Sequence, residues 1–494
     1  MLCDTERSLL IDAVMRSHPS VRDSVTVACG DSRFATFLVP ETELTSPPAN
    51  DIDPSEIWRR VWNLTYADAG ASAGGDVNLA GWISSYTGQP MSESDMREWV
   101  RDSAASVMAT GARTYLEIGC GTGLLLLRIA PASDRYLGTD FSETAIRYTA
   151  GAIRARQLAD RAALAVGSAE NIAALVGSQR FECVIINSVA QYFPDEDYLT
   201  RTIRGAISVT EPGGFIFIGD VRHKGLADAF YASILNRPGL PVKTLETLVR
   251  IRAGEEQELL IEPGYFTKLR LLEPAITGVQ MSLKRSAPDN ELTRFRYDVL
   301  LQVKGPVAPE APDDELDWCR RVGSVRRLQE ILAKARKEFI VDGIPNSRIM
   351  PFASWPAPDE PDPPVRVEEI WAAAAAYGWQ AHLDWSARDQ APDQRCAGRV
   401  RALFHRRAGR SGSGSLVVDS RPPVAEPVTS CPRYAALART VALSARSWAR
   451  ERLPASLVPR MIRTLPMLPA TEGGHTDRDA LRAAAAISEA AGQR

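Results

Sequence analysis

T-Y-L-E-I-G-C-G-T-G-L-L-L-L-R-I-A-P-A-S-D-R-Y-L-G-T-D, residues Thr114–Asp140, decides the fold. Tyr115–Ile118 is a short apolar run of the kind that forms a buried parallel strand. Gly119, Gly121 and Gly123 then alternate through a turn. Leu124–Ala130 resumes at helical spacing. A second strand, Tyr136–Thr139, ends at Asp140. Strand, glycine turn, helix, strand and acid make a nucleotide-binding half-site, because glycines let the backbone turn sharply and approach a ligand closely.

The spacing is G-x-G-x-G rather than the G-x-G-x-x-G of a dinucleotide site. Glu117 stands two residues before the first glycine, where its charge would repel a pyrophosphate. A ligand with a sulfonium and an α-ammonium would be attracted. The stretch therefore points to S-adenosylmethionine (SAM), with Glu117, Gly119, Cys120, Gly121 and Gly123 at its methionine end. Asp140, followed by Phe141, would accept the ribose hydroxyls.

Further along the chain, Ser142 reads as the N-cap of a helix running to about Gln157. Ala163–Val166 is a third strand, and Ser168, Ala169, Glu170 and Asn171 follow it within reach of an adenine edge. Phe181–Ile186 is a fourth strand that ends in Asn187 and Ser188. Asp195–Val209 is helical. The turn Pro212–Gly214 leads into a fifth strand, Phe215–Ile218, which ends Gly219–His223. Alternating strands and helices imply a doubly wound α/β sheet with its ligands beyond the carboxyl ends of the strands. Gly278–Lys284 and Phe295–Val303 read as a closing antiparallel hairpin whose connection carries Asn290 and Glu291.

With 494 residues the chain is expected to form two or three domains. A formal net charge of −3 gives no case for nucleic acid or an anionic membrane. Seven cysteines without a C-x-x-C pair suggest neither a disulfide framework nor a metal site, and they fit a reducing cytoplasm. No apolar run is long enough to span a bilayer, and the first residues do not read as a signal peptide.

Before the glycine turn, Glu6–His18 is helical, and Ser24–Cys29 and Arg33–Val39 are short strands. Glu56–Pro90 is rich in Trp, Tyr, Ser and Gly, and would lie over the cofactor as a lid. There Tyr86 is read as a lid residue, and Trp58, Trp62 and Trp82 as core anchors. After a Pro/Asp linker at Pro306–Asp314, residues from about Glu315 to Arg407 form a helical, mixed-charge module with strands near Trp379–Trp385 and Val400–Phe404. Gly409–Ser415 is a flexible joint.

Glu56–Arg407 resembles the methyltransferase domains embedded in nonribosomal peptide synthetases. The matching stretches are G-W-I-S-S-Y-T-G-Q-P, M-R-E-W-V, L-E-I-G-C-G-T-G-L-L-L, Y-L-G-T-D-F-S, N-S-V-A-Q-Y-F-P, G-D-V-R, N-E-L-T-R-F-R-Y-D-V and G-I-P-N-S-R. The flanks resemble the two halves of an adenylation domain's small C-terminal subdomain. They carry I-D-A-V-M-R-S-H-P-S-V-R-D-S-V-T-V and F-L-V-P at one end, and R-E-R-L-P-A-S-L-V-P-R and T-D-R-D-A-L at the other.

The resemblance implies a class I, Rossmann-like, seven-stranded SAM methyltransferase with a helical/mixed accessory module. It also implies a small α+β subdomain built by both termini. The expected boundaries are 1–50 and 411–494 for the split subdomain, 51–305 for the methyltransferase and 306–410 for the accessory module. No Ser/Thr/Gly-rich phosphate loop occurs in the sequence, and His475 replaces the subdomain's usual lysine in G-G-H-T-D-R. The expectation is that the flanks are a scaffold or docking surface and that the methyltransferase works in trans.

The implied acceptor is an aminoacyl or peptidyl thioester on a carrier protein, methylated at nitrogen, with an adenylation or synthetase module as a further partner. O- or C-methylation and a non-catalytic docking role are the alternatives. The candidate catalytic residues are Asn187, Tyr192, Asp220 and His223. Asn187, Ser188 and Tyr86 also face the cofactor, and Gln191, Arg222, Asn290 and Glu291 the substrate. Lys284 and Arg285 are read as solvated charges, and Glu291 and Arg294 as a surface ion pair.

Overall fold

The computed structural model describes residues 3–30, 33–41, 54–69, 78–285, 288–307, 312–350, 363–386, 398–406, 428–471 and 473–492. Gly409–Ser415 lies outside them. The chain divides into two compact units, and both are assembled from separated segments.

One unit gathers Met1–Pro54, Asp228–Glu258 and Cys431–Arg494. Its sheet joins the two ends of the chain. Strand β1 (Val21–Ala28) pairs antiparallel with β2 (Phe34–Pro40), and β14 (Met461–Thr464) pairs parallel with β2. Alternation along β2 builds a core on each face. Phe34 and Leu38 pack with Ile11, Met15, Val441 and Ala445. Ala35 and Phe37 pack on the other side with Leu248, Ile251, Leu481 and Ala484. Helix Val242–Gly254, which falls inside the 51–305 stretch, therefore shares a core with the terminal segments.

The second unit holds Ser55–Ala227 and Leu259–Ser430. Its main sheet comprises β3 (Thr114–Ile118), β4 (Arg135–Asp140), β5 (Ala162–Val166), β6 (Phe181–Asn187), β7 (Thr210–Arg222), β8 (Ile276–Leu283) and β9 (Arg296–Val303). Their order is β5-β4-β3-β6-β7-β9-β8. The first five run parallel, and β9 is antiparallel to both β7 and β8. The expected closing hairpin is thus present. Sheet order reverses between β3 and β6, which places a ligand crevice beyond their carboxyl ends. Central position explains composition: Val184, Ile185 and Ile186 on β6 are wholly buried, as a strand covered on both faces requires.

The accessory residues form more sheet than their mixed charge suggested. Four strands, β10 (Glu315–Asp317), β11 (Phe339–Pro345), β12 (Trp379–Trp385) and β13 (Arg399–Arg406), lie in the order β10-β11-β13-β12. Strand β11, F-I-V-D-G-I-P, is buried at every position, and so short an apolar run suits a covered strand better than a helix. Among the described residues no helix is long and apolar enough to cross a membrane.

Candidate active site

The glycine turn leaves β3 with Gly119 and Gly121 at φ of 77° and 50°, a region that favours glycine. A Cβ on Gly119 would lie 2.4 Å from a methyl of Val189, and one on Gly121 would lie 3.0 Å from the Tyr66 hydroxyl. The amides of Gly119 and Cys120 donate to the Thr139 carbonyl at 2.7 and 2.9 Å, which ties the turn to the tip of β4.

Two acids flank this turn. Glu117 is buried and accepts a hydrogen bond from the Tyr136 hydroxyl at 2.8 Å. Burial pushes its carboxyl up to about 8, against the Tyr136 hydrogen bond, and the nearby Asp140 charge adds to the rise. Asp140 is also buried. Its carboxylate accepts from the Gly121 amide at 2.9 Å and the Ser142 amide at 2.8 Å. Burial lifts it to about 6 despite those two bonds. No basic side chain among the described residues offsets either rise. The pair is a buried carboxyl locus with no cation among the described residues. Cys120, between them, is buried, and its thiol is driven upward by burial and by both acids.

Beside Asp140 a pocket of about 480 Å³ is lined by Phe141, Val166, Gly167 and Ser168 from the sheet edge. Glu143, Thr144 and Arg147 line it from the following helix, and Arg59 and Asn63 from the helix Pro54–Ala69. Ser142 caps the Glu143–Ala155 helix, as its sequence position predicts, and its hydroxyl also donates to Asn63 Oδ1 at 2.6 Å. Ser168 accepts from Asn171 at 3.1 Å, Ala169 is half-buried, and Glu170 is exposed with Arg201 3.8 Å away.

The Pro54–Ala69 helix sits in a stretch whose aromatic and small-residue content did not announce one. Residues 58, 62 and 66 recur every four positions, the spacing of one helical face. Trp58 and Trp62 pack on Tyr192 with ring centroids at 4.7 and 5.4 Å, and Trp62 stacks on Tyr66 at 5.2 Å. Trp82 instead packs on Trp99, with Met91, Met96 and Leu292 in the same core. Tyr86 lies with its hydroxyl 3.5 Å from Arg294.

On the opposite side of the turn the tips of β6 and β7 are locked together. Ser188 and Asp220 both hold φ near 60°, which is uncommon without glycine and strained by about 1 kcal/mol each. The Ser188 hydroxyl donates to Asp220. Asp220 also accepts from Trp99 Nε1 at 3.1 Å and Arg296 Nη1 at 2.6 Å, and Lys284 Nζ stands 3.7 Å away. Burial opposes the charge of Asp220. Arg296 and Lys284, with the bonds from Ser188 and Trp99, outweigh it and hold the carboxyl below the usual range. So anchored, Asp220 is a poor proton acceptor.

Lys284 is only 2% exposed and donates to Asp298 at 2.9 Å, so it is a buried ion-pair partner and not a solvated charge. Register explains this: Ser282 pairs with Asp298 across β8 and β9, which brings Lys284 to that carboxylate. Arg285 lies over the Trp371 ring and donates to the Ala381 carbonyl. Arg294 pairs with Asp289 at 2.7 Å. Glu291 accepts from the Ser85 amide and hydroxyl instead, so the expected Glu291–Arg294 pair is not formed. Asn290 caps the Glu291–Phe295 helix, accepting from Leu292 and Thr293 and donating to Asp95.

His223 is buried with its ring against Tyr297 and Trp385 and Nδ1 3.8 Å from Glu262. Arg222 pairs with Arg296 in the β7–β9 ladder. Asn187 and Gln191 are buried. Their side-chain oxygens, Oδ1 and Oε1, have no hydrogen-bond partner among the described residues. Two buried carbonyl oxygens without donors are costly unless a ligand supplies them.

Residues 110–247 match a methyltransferase domain family. The chain is similar to chondramide synthase of Chondromyces crocatus, at 33% identity over 96% of this chain and 13% of that protein. It is also similar to a probable non-canonical nonribosomal peptide synthetase of Salinispora arenicola, at 32% identity over 95% of this chain and 6% of that one. The chain thus spans about an eighth or less of either relative's length. The SAM-bound magnesium protoporphyrin IX methyltransferase of Synechocystis matches at a TM-score of 0.35 and 13% identity, covering 51% of this chain and 99% of that one. The donor set of this chain fits the cofactor, since two buried acids with no cation among the described residues flank a loop whose Gly119 and Gly121 hold positive φ. The chain carries a SAM-dependent methyltransferase domain of the type found in nonribosomal peptide synthetases.

Proposed function

We propose that this domain methylates the α-amine of an aminoacyl or peptidyl thioester presented by a carrier protein. Asn187 Oδ1 and Gln191 Oε1 carry this reading: at the tip of β6 and on the short turn after it, they are two buried carbonyl oxygens without donors among the described residues. An amine N–H is the donor such oxygens need. Held by them, the nitrogen keeps its lone pair free for attack. The similarity of nearly the whole chain to segments of peptide synthetases supports a tethered substrate.

When bound, SAM supplies a methyl group already activated by its sulfonium, so the protein's task is positioning and desolvation. Asp140 would accept the ribose hydroxyls, and Phe141, Val166 and Ser168 would wall the adenine. Glu117 and the glycine turn would face the methionine end. An α-amine with a pKa of about 7.7–8.0 is substantially neutral near pH 8, and a thioester carbonyl lowers it further. No strong base is then required. Asp220 acts here as an anchor that fixes Ser188 and, through it, the neighbouring Asn187.

The test is to incubate the protein and SAM with carrier proteins loaded with different amino acids. Intact-mass analysis reads the methyl increment, and fragmentation locates it. A methyl on the α-nitrogen is expected. A methyl on oxygen or carbon, or no transfer to any tethered acceptor, would overturn the reading.

A further inference from the structure

Trp58, Trp62, Tyr66 and Tyr192 are half-buried and form one aromatic cluster. Their placement is specific. Tyr66 brings its hydroxyl over Gly121. Tyr192 directly follows Gln191, whose Oε1 has no donor among the described residues, on the short turn Ala190–Tyr192 after β6. Trp62 packs on both rings, and Trp58 packs on Tyr192. On the same helix Arg59 and Asn63 reach the pocket beside Asp140. One helix therefore spans the crevice, with polar residues over the nucleoside end and aromatic residues from the glycine turn to the tip of β6.

The reacting sulfur must lie between those two places, because the nucleoside end is fixed at Asp140 and the acceptor end at Asn187 and Gln191. An aromatic face attracts a desolvated cation through its quadrupole. The sulfonium of SAM is such a cation. The thioether of the product, S-adenosylhomocysteine, is neutral. The two carboxyls at Glu117 and Asp140 cannot supply this discrimination alone, since both ligands carry the same α-ammonium and ribose.

We propose that Trp58, Trp62 and Tyr192 form an aromatic wall that selects the charged methyl donor over its neutral product and so limits product inhibition. This rests on the SAM site assigned above. The step it serves leaves charge in balance: the carbon–sulfur bond breaks, the carbon–nitrogen bond forms, and the positive charge passes from sulfur to the amine, which then releases a proton.

Calorimetric titration of the full chain with SAM and, separately, with S-adenosylhomocysteine tests the proposal. Trp62→Leu should reduce the preference for SAM over the product by about two- to thirtyfold, the range of one cation–π contact. Trp62→Phe, which keeps an aromatic face, should retain most of it, and Trp58→Leu should lower it independently. Far-ultraviolet circular dichroism confirms that each variant is folded. If Trp62→Leu and Trp58→Leu weaken both ligands in equal proportion, the rings act only by packing and the proposal fails. If the unaltered protein binds neither ligand, the cofactor site itself is misassigned, a result separate from failure of the wall.

Discussion

Two groups of buried acids stand at one edge of the same sheet and behave in opposite ways. At the tip of β7, Asp220 is enclosed by Arg296, Lys284, Ser188 and Trp99 and is held ionised. At the tips of β3 and β4, Glu117 and Asp140 have only hydroxyl and amide donors, and burial drives both upward. The first group is complete without a ligand. Among the described residues, no positive charge completes the second. Buried acids are therefore not interchangeable evidence of a site, because what surrounds them separates a scaffold from a binding locus.

The largest effect should come from breaking the complete group. Asp220→Ala removes the buried carboxylate that Arg296 and Lys284 share, leaving Lys284 with Asp298, and should lower stability by about 3–5 kcal/mol in urea unfolding. A loss below about 1 kcal/mol would mean that the network contributes little.

The incomplete group should respond in binding rather than in folding. Asp140→Ala should weaken SAM about ten- to hundredfold by calorimetry while leaving the unfolding midpoint near that of the parent. Equal SAM affinity in the two proteins would remove Asp140 from the site.

A smaller effect concerns pH. Glu117 is raised from 4.5 to about 8, so the folded ligand-free protein holds a proton that the unfolded chain has lost. Stability should then fall as pH rises from about 4.5 towards 8. Glu117→Gln should flatten that slope in thermal melts across the window. An unchanged slope would show that the carboxyl ionises normally in the fold.

The smallest effect separates Asn290 from the substrate contacts. Its side chain caps a helix, so Asn290→Ala should lower stability by about 1 kcal/mol, with the KM for the carrier-bound acceptor unchanged. A raised KM at full stability would return Asn290 to the acceptor pocket.

The comparison also separates what the sequence can disclose from what it cannot. The donor side is contiguous: Glu117, the glycines and Asp140 fall within one βαβ unit, and the turn and strand tips are set by local backbone chemistry. The doubly wound sheet follows from the same alternation, but the order of its strands does not. The β7 group is built across distance. Ser188, Asp220, Lys284, Arg296 and Asp298 meet through sheet register, and Trp99 joins them from the helix Glu93–Met108, so Asp220 reads as a free carboxylate and Lys284 as a surface charge until these elements are paired. The aromatic helix lies between these cases. Its signal, at positions 58, 62 and 66, is present in the chain, but the surrounding Gly and Ser obscure it. Strand β11 was hidden because a run buried at every position has no alternation for periodicity to read, and only its length favours a strand.

The central claim is that Glu117 and Asp140 form an anionic site awaiting a cationic methyl donor. Calorimetric titration with SAM at pH 7, repeated in two buffers of different ionisation enthalpy, tests it most directly by counting protons. With Glu117 near 8 and Asp140 near 6, arrival of a cation should expel up to about one proton, mostly from Glu117, and affinity should rise with pH. Tight binding with no proton released, or with affinity that falls as pH rises, would contradict the account.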